Sequence, residues 1–164
     1  TELINNVVGF HIHQDPAPML VVQPTLEMAQ TWSKDRLAPA IRDTPVLHEK
    51  IGDPRSRDSG NTTLHKVFTG GHVTSCGANS PSSLASRPCR IILCDEVDRY
   101  PISAGTEGDP VSLAKKDHQH SGTEKLFLLA HQLSVEHHEL NKLMMKVISV
   151  NSTLTVLIVR KSKF

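Results

Sequence analysis

The chain has 164 residues, 38% hydrophobic and 21% charged, with a formal net charge of +1, which predicts a globular domain long enough to bury a sizeable core. So small a net charge excludes a strong uniform basic field for nucleic acid and leaves only a local basic face, and an aromatic content of 4% argues against a base-stacking platform. Cys76, Cys89 and Cys94 share no metal-ligand spacing and form no even disulfide set, so they read as reduced, mostly buried thiols of a reducing compartment such as the cytosol. No run approaches a membrane span, and no basic segment leads into an apolar export signal.

In chain order, residues 2–13 place Leu3, Ile4, Val7, Val8, Phe10 and Ile12 at partly helical spacing before the breakers of QDPAP. PMLVVQP (18–24) is a continuous apolar run closed by proline, the pattern of a buried parallel strand. Thr25 is placed to cap a helix through TLEMAQTWSKDRLAPAIR, with Glu27 in its first turn favouring the dipole and Pro39 ending or kinking it. A second short helix fits DTPVLHEKI and stops at Gly52. DPRSRDSGN (53–61) reads as an exposed polar loop carrying Arg55 and Arg57. TLHKVF and HVTSCG then flank TGG, a hairpin in which Gly70 and Gly71 supply positive φ. Ser80 and Pro81 fit the cap and first position of a short helix, SPSSLAS, and CRIILC is the most apolar strand. Strands alternating with helices predict an α/β fold with a mainly parallel sheet and flanking helices.

RIILCDEVDRYP (90–101) puts an apolar strand directly before three acids in four residues, Asp95, Glu96 and Asp98. Such acids repel one another unless they lie on a solvated edge or face something positive. In open α/β sheets ligands collect beyond the carboxyl ends of the strands, and Asp95 and Glu96 follow Ile91–Cys94 at that place. An Asp there suits Mg²⁺, and a Glu one residue later suits orienting or deprotonating an attacking water; a bound cation would relieve the repulsion. A strand followed by Asp-Glu also occurs as an ordinary surface turn, and the pattern alone leaves both readings open.

MLVVQPT, KVFTGGHVTSCGANSPSSLASRP, RIILCDEVDRYP and EGDP, in this order and spacing, together resemble the ATPase domain of the large terminase subunit of lambda-like tailed phages, the motor that packages DNA into the procapsid. The resemblance covers roughly residues 1–114 and implies a partial P-loop NTPase-type fold. It makes Asp95 the Mg²⁺ ligand and Glu96 the catalytic base, with Asp98 and Arg99 structural. Asn79, Ser80 and Arg87 fall in a segment that lies near the nucleotide in such motors; Arg87 is a candidate contact to phosphate or to a neighbouring subunit, set against an ordinary surface arginine. The family's phosphate loop ends in Gly-Lys-Ser/Thr, and TELINNVVGF resembles the helix that starts on that last residue. Thr1 is therefore expected to be the final loop residue and an Mg²⁺ ligand, with the glycines and lysine before the chain start; the chain is read as a fragment that binds ATP poorly and hydrolyses it negligibly. The resemblance also implies ATP and Mg²⁺ as cofactors, and as partners double-stranded DNA, a small terminase subunit, a portal and further copies of the subunit, in the cytoplasm of a bacterial host. The nuclease domain of such subunits is expected to lie outside this chain.

After Ala114 the resemblance stops, although a Thr-Pro-Thr motif and a Cys-Pro-His-Cys pair are expected beyond it. In a frame taking the third base of one codon and the first two of the next, Ala130–Leu133 is able to encode Thr-Pro-Thr and Thr155–Val159 Cys-Pro-His-Cys. We therefore expect a frameshift near Lys115–Lys116, dividing the chain into a partial ATPase domain (1–116) and an out-of-frame tail (117–164); the underlying nucleotide sequence decides it. Histidines 118, 120, 137 and 138, which invite a zinc reading, then become accidents of frame. Literally read, the tail offers a helix over Val135–Val147 and a strand at STLTVLIV. Two other readings remain: a non-catalytic prophage remnant, and another nucleic-acid-dependent P-loop ATPase such as a helicase.

Overall fold

MLVVQ is buried at every position because it forms the middle of a sheet covered on both faces, which is why its sequence is a continuous apolar run rather than an alternating one. The computed structural model describes residues 2–51, 60–85, 89–116 and 125–128. Within them β1 (Met19–Gln23), β2 (His65–Phe68), β3 (Gly71–Gly77), β4 (Ile91–Cys94) and β5 (Lys125–Leu128) form one sheet in the order β2-β3-β1-β4-β5. β1 runs parallel to β3 and to β4, β4 runs parallel to β5, and β2 is antiparallel to β3. The mainly parallel α/β architecture expected from the sequence is present.

The period-2 alternation of the strands divides the core. Met19, Val21, Val73, Ile91 and Leu93 face one side, where Ile4, Val8 and Ile12 of α1 (Glu2–His13), Trp32, Leu37 and Ile41 cover them. Leu20, Val22, Cys76, Ile92 and Cys94 face the other, under Leu84 of α5 (Pro81–Ala85) and Leu113 and Ala114 of α6 (Pro110–Lys116). All three cysteines are buried and none forms a disulfide. No helix among the described residues is long and apolar enough to cross a membrane.

Three local expectations are modified. Thr25 caps α2 (Leu26–Trp32) as expected, accepting from Met28 N at 3.2 Å. Of the two outcomes expected at Pro39, an end is not seen: a wide π turn over Ser33–Leu37 precedes it, with Ala38 N–H reaching back to the Ser33 carbonyl, and α3 (Ala38–Asp43) continues through the proline. The widened turn accommodates a residue that has no N–H and crowds the preceding turn. In the hairpin, Gly70 has φ of 88°, but Gly71 does not adopt positive φ. Gly71 is needed for space, since a Cβ there would lie 2.6 Å from the Ala17 carbonyl oxygen. Ser80 precedes α5, but its hydroxyl meets Ser83 Oγ at 2.9 Å rather than a backbone N–H. The second helix is the short α4 (Pro45–His48); Gly52 and the Arg55/Arg57 loop lie outside the described residues, as do the tail helix, the tail strand and the four tail histidines.

Candidate functional site

The carboxyl ends of β3, β1 and β4 meet at one edge of the sheet. Gln23 pairs with Gly77 across β1 and β3, and Val22 pairs with Cys94 across β1 and β4. The ladders run one step further on both sides: Ala78 N–H donates to the Gln23 carbonyl at 2.8 Å, and Asp95 N–H to the Val22 carbonyl at 3.0 Å. Asp95 therefore leaves β4 level with Gln23. Both side chains are buried, and Gln23 Nε2 donates to Asp95 Oδ2 at 3.2 Å. Among the described residues no hydrogen bond engages Oδ1 of Asp95.

At Glu96 the chain turns sharply. Its φ of 49° and ψ of 48° put a non-glycine residue in the left-handed region, a conformation that costs roughly 1–3 kcal/mol and persists only where its surroundings impose it. A 3-10 turn over Val97–Arg99 follows and swings Tyr100 back under the sheet, where its hydroxyl donates to the Val22 carbonyl at 2.8 Å. Burial, and then the neighbouring Cys94, push the Tyr100 pKa upward, so it serves here as a neutral donor. Arg99 Nη1 lies 3.1 Å from Glu96 Oε2. That is ion-pair range, yet Oε2 is buried without a hydrogen-bond partner; the guanidinium compensates its charge without giving it a directional bond.

The opposite side of the edge is built on Gly77. A Cβ there would meet Leu26 N at 2.6 Å, Asn79 Oδ1 at 2.8 Å and the Thr25 carbonyl carbon at 2.9 Å, so only glycine lets the start of α2 close onto the end of β3. The three acids of the opening motif thus have three environments: Asp95 against a buried amide, Glu96 beside Arg99, and Asp98 on the exposed surface. Asp95 and Glu96 follow directly on the carboxyl end of β4. Thr1 and Arg87 lie outside the described residues.

The donor chemistry of Asp95 fits Mg²⁺. Among the described residues no group of three or more His, Cys, Asp or Glu could hold a metal. Mg²⁺ does not need one, because it is held by one or two carboxylates together with phosphate oxygens and retained waters. A single carboxylate with one oxygen fixed and the other open is a suitable ligand for it.

The family described as the phage terminase large subunit gpA, ATPase domain, matches residues 1–134, which is most of the chain. The chain belongs to that family. The protein named "Terminase, large subunit" of Enterobacteria phage P21 is 25% identical over 117 residues, covering 71% of this chain and 18% of that protein. The chain thus spans less than a fifth of the length of this curated relative. No solved structure matches.

Sequence reasoning missed Gln23, Tyr100 and the role of Arg99 beside Glu96. The signal for Gln23 was present: a polar residue closing a fully apolar strand, one position before proline, must find a buried partner.

Proposed function

We propose that this chain contributes the acidic half of the ATP-hydrolysing site of a DNA-packaging terminase motor, in a P-loop NTPase-type domain. Asp95 would hold Mg²⁺ through Oδ1, and Glu96 would orient the attacking water and accept its proton. A cation held there by Asp95 would supply positive charge against the charge that develops on the transferred phosphoryl group. The resemblance assigns Thr1 to the end of the phosphate loop and Arg87 to the vicinity of the phosphates. Translocation of double-stranded DNA, and assembly with a small subunit, a portal and further copies, are proposed for the whole large subunit. The observation that carries the reading is the pair at the end of β4: a buried Asp95 with one oxygen fixed, followed at once by a strained Glu96 whose buried oxygen has no directional partner.

Residues 1–116 carry this portion. The family match extends to residue 134 and β5 pairs in parallel with β4, so Lys125–Leu128 lie in the same sheet.

Steady-state ATP hydrolysis by a large subunit that carries these residues tests the proposal. Glu96→Gln is expected to lower kcat by about 10²-fold or more, the share of a general base, with binding of Mg-ATP retained. Asp95→Asn is expected to abolish the Mg²⁺ dependence of nucleotide binding. Wild-type turnover in both variants would overturn the assignment.

A further inference from the structure

A buried glutamine beside a buried carboxylate needs a reason. Gln23 closes the strand MLVVQ, whose other four residues are apolar, and is 3% exposed; Asp95, 72 residues later, is 6% exposed. Two polar side chains withdrawn from water at one sheet edge are costly unless each satisfies the other. The 3.2 Å contact from Nε2 to Oδ2 does so. The backbone has already fixed the approach, because Asp95 N–H donates to the Val22 carbonyl and Tyr100 holds that same carbonyl from below.

The choice of an amide is informative. A lysine or arginine at position 23 would bind the carboxylate more strongly, but it would neutralise the charge and compete with any cation for the oxygens. A glutamine N–H fixes one oxygen and leaves the negative charge in place. It also removes the near two-fold freedom of the Asp χ2 torsion, so that a single oxygen is presented. Outer partners of this kind orient metal ligands, and their loss costs about 10–100-fold in metal affinity or activity.

We infer that Gln23 is a positioning residue for the divalent cation: its side-chain amide presets Asp95 with Oδ2 occupied and Oδ1 open, so that the cation meets an oriented carboxylate. This rests on the reading of Asp95 as the Mg²⁺ ligand. Gln23 itself touches neither nucleotide nor cation and acts only through Asp95.

The test is Mn²⁺ titration of the large subunit, followed by the loss of the free-ion electron paramagnetic resonance signal in the presence of a non-hydrolysable ATP analogue, with the Mg²⁺ half-saturation of ATP hydrolysis as second readout. Gln23→Met keeps the length and volume of the side chain and removes the donor. It is expected to raise half-saturation for both ions about 10-fold, while kcat at saturating Mg²⁺ and the melting temperature of the metal-free protein change little. Gln23→Asn, whose shorter arm does not reach Oδ2, is expected to give the same shift and substitutes for the methionine variant if that fails to fold. In an Asp95→Asn background the Gln23 substitutions are expected to have no further effect. If Asp95→Asn abolishes cation binding but neither Gln23 variant moves it, the inference is wrong and the assignment of Asp95 stands. If Asp95→Asn leaves Mn²⁺ binding unchanged, the assignment of Asp95 fails and the inference falls with it. A loss confined to kcat, with half-saturation unmoved, would also overturn a positioning role.

Discussion

Gly77→Ala is the substitution for which the structure sets both sign and size. An added Cβ would sit 2.6 Å from Leu26 N, 0.8 Å short of the 3.4 Å at which ordinary contact begins, and 2.9 Å from the Thr25 carbonyl carbon. Both obstacles are backbone at the capped start of α2, so no side-chain rotation relieves them and the helix end must move off β3. Overpacking of this kind costs about 1–3 kcal/mol, against which the stiffer unfolded chain returns about 0.4–1 kcal/mol. A net loss of ~1–2 kcal/mol follows. With a urea m-value of ~2 kcal/mol/M, that lowers the unfolding midpoint by about 0.5–1 M. Gly9→Ala is the internal control. Gly9 lies inside α1, and its nearest obstacle is the end of a flexible side chain, Leu47 Cδ1, at 3.5 Å. There the same change is expected to raise stability by ~0.5–1 kcal/mol through helix propensity. Equilibrium urea unfolding followed by circular dichroism reads both. Equal shifts for the two variants, or a midpoint for Gly77→Ala at or above the parent's, would refute the claim that α2 closes on β3 through this glycine.

Two further perturbations probe the core beneath the site. Burial, reinforced by the neighbouring Cys89, pushes the Cys76 thiol from 9.0 up to about 12. The folded chain therefore keeps a proton that the unfolded chain releases: its stabilisation is complete below pH 9 and is lost as pH rises through 12. Urea midpoints that decline across that window, with the decline reduced in Cys76→Ala, are expected; a flat profile would count against it. Tyr100→Phe removes the 2.8 Å bond to the Val22 carbonyl, and a cost of only about 0.5–1.5 kcal/mol is expected, because Asp95 N–H still satisfies that acceptor. A loss above ~3 kcal/mol in thermal unfolding would mean that Tyr100 supports more than one acceptor.

What the sequence revealed, and what it concealed, follows the range of the interaction involved. β1 and β4 were legible because strands buried on both faces are apolar throughout, and Thr25 because a cap acts within three residues. The placement of Asp95 and Glu96 was legible because the end of an apolar strand is a defined place in an open sheet. Gly71 was misread because a glycine pair looks the same whether it supplies positive φ or room; the obstacle, Ala17, lies more than fifty residues earlier in the chain. The widened turn over Ser33–Leu37 ahead of Pro39 was hidden because it leaves no compositional mark. Gln23 was passed over as a strand terminus, since its partner is 72 residues away and appears only when parallel register sets β1 beside β4.

The same register resolves the problem posed by three acids in four residues. Adjacent carboxylates are tolerable when each is handled differently, and the fold assigns the treatments by position. Asp95, still on the strand line, is held by ladder geometry and an uncharged amide. Glu96, at the first residue off the ladder, is turned into left-handed backbone, and an arginine three residues on compensates it. Exchanging the two partners would exchange the environments: a guanidinium would set a positive charge against Asp95, and an amide would give Glu96 an uncharged donor. The difference between the two acids is therefore set by what faces each of them, an uncharged donor from the neighbouring strand in one case and a charged side chain from the following turn in the other.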